Sequence, residues 1–175
     1  MAPRLTSTGR KHTSAINIIR RGIRVVKARP TDFSDQGGFY LSSSYEMAHK
    51  WPKAHKQEAS AVIVFEVPNG KISNLCGRTH DGIFTSGEGK EFLDDNDEWK
   101  KLVTYFRRGP EGYTEEQTTT YDDLKYVFGP IVIQPRTLRA MTPHKFQLCI
   151  NDKGLAKRFF DKGRNIVKVI FFHDD

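Results

Sequence analysis

Residues 32–51 read DFSDQGGFYLSSSYEMAHKW, a turn, a short strand and the start of a helix, with Tyr40 set between two glycines and three serines. Gly37-Gly38 permits a backbone path that side chains would block, and Phe39-Tyr40-Leu41 has the aromatic and apolar character of a buried strand. Ser43 stands three residues before Glu46, the spacing of a capping box, and predicts a helix from about Ser44. A tyrosine at the end of a strand, just before a run of hydroxyls, is placed to face a ligand. The same pattern also fits a packed turn.

The composition bounds the rest. A chain of 175 residues predicts one domain over residues 1–175, since single domains usually hold about 100 to 200 residues. Twelve Phe and a 37% hydrophobic share suffice for a core. No apolar run reaches the ~18 residues needed to cross a bilayer, and MAPRLTSTGRKH lacks a signal peptide's hydrophobic segment, so a cytoplasmic or nuclear protein away from membranes is expected. Cys76 and Cys149 have neither metal spacing nor a disulfide framework, which fits a reducing compartment.

The charge is uneven along the chain. Residues 1–30 hold eight basic side chains (Arg4, Arg10, Lys11, Arg20, Arg21, Arg24, Lys27 and Arg29) and no acid, whereas Glu88 to Asp123 is acidic. Residues 1–11 read as a flexible basic tail. Such a start attracts a polyanion, either a nucleic acid or the pyrophosphate of a dinucleotide, and it equally describes a solvated surface. Arg20, Arg21 and Arg24 are the candidates for a basic rim.

Local patterns place the other elements. His12-Thr13-Ser14 leads a short helix capped by Thr13 or Ser14 and stopped by Gly22, with Ile16 and Ile19 expected toward the core. Pro52 should kink or end the helix of the opening stretch. Ala61–Val67 (AVIVFEV) is the strongest strand, Pro68-Asn69-Gly70 a turn after it, and Lys71–Cys76 a further strand. Gly77 to Asp97 and Gly109 to Thr120 read as polar loops. Trp99, Leu102, Val103 and Phe106 recur at i, i+3, i+4 and i+7, predicting a helix capped by Asn96 or Asp97 and stopped by Gly109. Extended segments are expected on either side of Gly129-Pro130. KFQLCI (145–150) alternates as a half-buried strand, Asp152 can cap a helix with Leu155, Ala156 and Phe159 inward, and NIVKVIFF (165–172) closes the chain as a strand. The interspersed elements predict an α+β fold with a largely antiparallel sheet system.

Several chemistries lack their motifs. His12, His49, His55, His80, His144 and His173 include no HExxH pair and no cysteine partner at zinc spacing, so no metal is expected. Neither a P-loop nor a GxGxxG after a strand is present. Cys149, near His144, is better read as a core cysteine than as a nucleophile.

The order of the blocks carries a resemblance. HTS (12–14) leading a helix, then DFSDQGGFYLSSSYEMAHKW, AVIVFEV, Trp99 with LVTYFRR, YDDLKYVFGPI (121–131) and KFQLCINDKGLAKRFF resembles the ADP-ribosyltransferase-like superfamily, in particular a microbial branch with a DFGxGFYxT-type motif. The match spans nearly the whole chain and is most specific in DFSDQGGFYLSSS and YDDLKYVFGPI. The resemblance implies a split β-sandwich of two mostly antiparallel sheets with flanking helices, enclosing an NAD cleft. Residue by residue, it implies that His12 holds the adenosine-side ribose, that Tyr40 packs on the nicotinamide ring, and that Gln147 takes the third signature position, where many relatives carry Glu. Thr13, Ser14, Ser42 and Ser43 are implied as further contacts to NAD. Thr13 departs from the family, which has glycine there so that the backbone can approach the nicotinamide amide.

The implied chemistry is cleavage of the nicotinamide–ribose bond, with NAD as substrate and ADP-ribose passed to a protein or nucleic-acid acceptor. Water as acceptor would make an NAD glycohydrolase. A catalytically inactive relative, reused as a basic nucleic-acid-binding domain, is the alternative from another class. Transfer of an RNA 2′-phosphate to NAD, on a related fold, expects a more basic set than His12, Tyr40 and Gln147.

Overall fold

The computed structural model describes residues 4–25, 31–35, 37–54, 60–67, 89–134, 138–141, 145–160 and 166–171. In chain order the elements are β1 (Arg4–Lys11), α1 (His12–Arg21), β2 (Phe39–Ser42), α2 (Tyr45–Ala54), β3 (Ser60–Val67), β4 (Gly89–Glu91), α3 (Asp97–Arg108), α4 (Glu115–Asp122), β5 (Tyr126–Pro130), β6 (Val132–Gln134), β7 (Arg139–Ala140), β8 (Phe146–Ile150), α5 (Lys153–Phe160) and β9 (Ile166–Phe171). The fold is mixed α+β, as expected. Two compact units interleave in sequence: Met1–Arg24, Leu41–Ile83 and Gly154–Asp175, and Val25–Tyr40 with Phe84–Lys153.

In the first unit β3 lies between β1 and β9, antiparallel to both. Ala61, Val62, Ile63 and Phe65 are all buried, a continuous apolar run rather than an alternating one, as befits a strand covered on both faces. Residues 4–11 are not a tail. Their backbone pairs with β3 at every position from Arg4↔Val67 to Lys11↔Ser60. The polar RLTSTGRK misleads because a ladder is made by backbone groups, and an apolar neighbour can recruit a strand that carries little hydrophobic signal itself.

Helix α1 starts at His12, before the expected cap, and ends where Gly22 donates its N–H to Ile18 O (2.9 Å). Its buried side is Ala15 and Ile18, while Ile16 and Ile19 are exposed, which reverses the expected facing. A pair three apart defines a stripe in either register, so spacing alone cannot choose between Ile16/Ile19 and Ala15/Ile18. Helix α2 is capped by Ser44, whose Oγ accepts from Met47 N (3.3 Å), one residue later than predicted. Glu46 therefore sits in the first turn without closing a capping box and pairs with Lys50 instead (2.6 Å). The helix continues two residues past Pro52.

The second unit holds β4, β5 and β8, adjacent in that order, with the first half of β2 beside β8, and a small β6-β7 hairpin. β5 and β8 pair antiparallel, β4 and β5 parallel. β4 falls in a segment read as loop. It is three residues long, and its Gly89 is covered by the Tyr126 ring, which an added Cβ would strike. Gly129-Pro130 lies inside β5 rather than between strands; Pro130, with no N–H to give, is its last residue, and Ile131 N continues the pairing to Lys145 O (2.8 Å). β8 is buried at Leu148, Cys149 and Ile150 together, so its alternation does not persist to its end.

Helix α3 matches the prediction. Asn96 Oδ1 accepts from Trp99 N (2.9 Å), Gly109 N closes the last turn on Tyr105 O (2.8 Å), and Trp99, Leu102, Val103 and Phe106 are all buried. They form one cluster with Phe33, Phe92, Leu124, Val127, Cys149 and the tyrosines 105 and 121. Helix α4 replaces a predicted loop. Thr114 and Gln117 form a full capping box (3.2 and 3.0 Å), but Tyr121 is the helix's one buried residue, so no apolar stripe announces it. Residues 68–88, with the predicted turn and strand there, and the Phe159 side chain lie outside the described part. The strand predicted over residues 165–172 corresponds to β9, which covers Ile166–Phe171.

Truncating Leu102, fully buried in the second unit, to Ala should lower the unfolding free energy by about 2–5 kcal/mol in denaturant titration. The same change at Leu93, 70% exposed, should stay within about 0.5 kcal/mol.

Candidate functional site

Thr31, Phe33 and Ser34 gather around the Tyr40 hydroxyl. Phe33 N donates to the phenol oxygen (2.9 Å), the hydroxyl lies 2.5 Å from Thr31 Oγ1, and Thr31 Oγ1 donates to Ser34 O (3.1 Å). Either hydroxyl can be the donor between Tyr40 and Thr31, so Phe33 N–H, the phenol, the Thr31 hydroxyl and Ser34 O form one linked set. Burial, chiefly, and the adjacent Cys149 thiol hold the Tyr40 pKa well above its ordinary value, while the bond to Thr31 opposes them. Tyr40 as a whole is half-buried and packs on the aromatic cluster of the second unit.

Gly37 and Gly38 make this loop possible. Gly37 has φ +80°, a region other residues avoid. A Cβ on Gly38 would collide with Cys149 Sγ and meet Asn151 Oδ1 at 2.8 Å, so the chain passes β8 with no room for a side chain. Asn151 fastens the same place: its Nδ2 donates to Phe33 O (3.1 Å) and Leu124 O (3.3 Å), and its Oδ1 accepts from Cys149 Sγ (3.0 Å). Cys149 is a free, buried thiol with its pKa raised, first by burial and further by the charge of Asp32, with the Tyr40 bond acting the other way. A thiol so held is not a nucleophile at neutral pH, in keeping with the core reading.

Gln147 belongs to this neighbourhood. Its Nε2 lies 3.5 Å from Asp32 Oδ2, and Asp32 Oδ1 receives Arg107 Nε (2.7 Å) and Nη2 (2.5 Å). Both members of that ion pair keep about a quarter of their side-chain surface open, 23% for Arg107 and 24% for Asp32. Motif reading does not pick out Asp32, Thr31, Arg107 or Asn151. The available signals are positional: Asp32 opens the DFSDQGG stretch, and Arg107 lies at the end of the LVTYFRR helix.

The other predicted site residues lie in the first unit. His12 opens α1 with its side chain outside the described part; Thr13 is exposed and Ser14 half-buried. Ser42 Oγ accepts from Ser44 N (3.0 Å), which forms the turn into α2, and Ser43 is exposed beside it. Arg20, Arg21 and Arg24 are exposed, and no carboxylate partner for them is found among the described residues. Among the described residues no three His, Cys, Asp or Glu side chains gather as a metal site, and no helix is long and apolar enough to cross a membrane.

Gly38→Ala should be strongly destabilising, by about 1–3 kcal/mol or more, because backbone and strand must separate to admit the methyl. Removing the sulfur in Gly38→Ala/Cys149→Ala should recover part of the loss, measured by denaturant titration. Alkaline pH offers a separate check. The fold keeps the Cys149 proton where the unfolded chain, with a thiol pKa of about 8.5, releases it; stability is therefore full below that pH and declines above it. Cys149→Ala should have a shallower fall in melting temperature between about pH 8 and about pH 10 than the parent protein.

The chain matches no family model, no curated protein and no solved structure.

Proposed function

We propose that the chain is an NAD-dependent mono-ADP-ribosyltransferase-like protein on a split β-sandwich of that superfamily, cleaving the nicotinamide–ribose bond and passing ADP-ribose to a macromolecular acceptor. The observation that supports this most is the gathering of Tyr40 and Gln147, on the neighbouring strands β2 and β8, around the loop opened by Asp32. Two of the three positions implied by the resemblance thus bond to the same short stretch, Tyr40 to Thr31 and Phe33 and Gln147 to Asp32.

The chemistry suits these side chains. Nicotinamide in NAD is cationic, and a tyrosine ring offers it area and electrostatic attraction. Cleavage develops oxocarbenium character at the ribose, as glycoside cleavage does, and an oriented acceptor beside a ribose hydroxyl stabilises that charge. Gln147 can orient a hydroxyl through its carbonyl, but it cannot take a proton as a carboxylate would. Activation of the acceptor then falls to another group or to the acceptor itself. Thr13, in place of the family's glycine, narrows the backbone approach to the nicotinamide amide. The resemblance assigns the second ribose to His12 and further contacts to Ser14, Ser42 and Ser43.

A second reading rests on α1. The exposed Arg20, Arg21 and Arg24 follow a segment without acids, the footprint of a polyanion site, and a nucleic acid held there would be the acceptor or, in an inactive relative, the sole ligand.

Incubated with labelled NAD, the protein should release nicotinamide and either transfer the label or hydrolyse it. Tyr40→Ala and His12→Ala should each reduce release by on the order of a hundredfold. Tyr40→Phe keeps the ring and loses the hydroxyl chain, so it should cost about 1–3 kcal/mol of stability yet retain release. Full activity in both alanine variants would remove these residues from the site. Reversing the charges of Arg20, Arg21 and Arg24 should abolish salt-sensitive nucleic-acid binding and leave nicotinamide release intact.

A further inference from the structure

We infer that Asp32, clamped by Arg107, is a positioning residue that locks the Gln147 amide in one orientation and makes this position a selective acceptor for a hydroxyl group, such as that of a ribose diol. The inference rests on the NAD-binding reading for the identity of that diol. The orientation itself follows from the geometry.

An ion-paired carboxylate has lone pairs and no hydrogens, so only a donor can face it favourably. Asp32 Oδ1 is taken by two guanidinium nitrogens of Arg107, at 2.7 and 2.5 Å. The other oxygen, Oδ2, meets the Gln147 amide at 3.5 Å. Turning that amide over would set its carbonyl oxygen against the carboxylate, so Nε2 must face Asp32 and Oε1 must point away from it. No further partner for either end of the Gln147 amide is found among the described residues.

A free glutamine amide accepts from a donor or donates to an acceptor, according to how it rotates. Gln147 has lost the freedom to turn over: with one N–H facing Asp32 Oδ2, its carbonyl stays on the opposite side, where it meets hydroxyl and N–H donors. Arg107 matters indirectly. It fixes the carboxylate by holding one oxygen, from the end of α3, which is anchored by its buried aromatic stripe. The pair is three-quarters covered yet not sealed, which strengthens its electrostatics and still admits a ligand to its surroundings.

The test compares ADP-ribose with ADP, which lacks the terminal ribose, by calorimetry on the parent protein and on Asp32→Asn, Asp32→Glu and Gln147→Leu. The parent protein should prefer ADP-ribose, and Asp32→Asn, whose own amide can face Gln147 either way, should lose about three- to tenfold of that preference while its ADP affinity stays put. Asp32→Glu should restore part of it, and Gln147→Leu should abolish it. The side-chain amide resonance of Gln147 should shift in Asp32→Asn before any ligand is added. An unchanged preference and an unmoved resonance in Asp32→Asn would overturn the inference, as would a parent protein that does not distinguish the two ligands. If ADP-ribose binding depends on Asp32 but NAD is not cleaved, the enzymatic reading fails and the positioning role stands. If NAD is cleaved equally well by parent and Asp32→Asn, the reverse holds.

Discussion

Gly38 passes β8 so closely that Cys149 Sγ and Asn151 Oδ1 occupy the space its side chain would need, and the polar organisation of the second unit depends on that contact. Because the backbone lies against the strand, Asn151 can reach Phe33 O, and the loop before it is short enough for the Tyr40 hydroxyl to accept from Phe33 N and share a hydrogen bond with Thr31. The same approach leaves Asp32 at the start of the loop within reach of Gln147 on β8 and Arg107 on α3. Two glycines thus arrange one ion pair, one amide and one phenol without supplying a polar group of their own.

The arrangement separates two tasks that a tyrosine near a ligand must combine. Its hydroxyl is consumed by structure, in hydrogen bonds with Phe33 N and Thr31. Under the proposed NAD reading, the part of Tyr40 that would serve a ligand is the aromatic body, which suits a flat cation better than a polar partner. Gln147 shows the complementary case: one N–H of its amide faces Asp32, and its carbonyl end points away from that carboxylate. Binding groups made selective by committing half of each side chain to the scaffold need little conformational ordering when a ligand arrives.

Legibility along the chain follows the hydrophobic signal. Helix α3 is readable because an apolar stripe, a cap and a glycine stop agree at Asn96, Trp99, Leu102, Val103, Phe106 and Gly109. Helix α4 is not, although Thr114 and Gln117 carry a capping box, because it buries only Tyr121 and is held mainly by its first turn. β1 and β4 escape notice for a related reason. Their place in a sheet is set by the partner strand's backbone, and neither RLTSTGRK nor GKE displays it. Ile16 and Ile19 show the limit of periodicity, since the stripe is right in spacing and wrong in phase.

By itself the sequence determined that the chain is mixed α+β, that Gly37-Gly38 carries a special backbone, and that Tyr40 and Gln147 merit attention, because these follow from local sterics, hydrophobic pattern and motif resemblance. Only the tertiary structure decided which atoms of those residues are engaged. The partners of Tyr40 and Gln147 are Thr31, Phe33, Asp32 and, through Asp32, Arg107, and the Asp32 pairs span 75 and 115 residues of sequence. Contacts of that separation come from strand order and helix placement, and a linear pattern holds no record of them. Gly37-Gly38, a permissive turn in the sequence, proves to be the point at which the chain is brought against β8 so that those distant groups can meet.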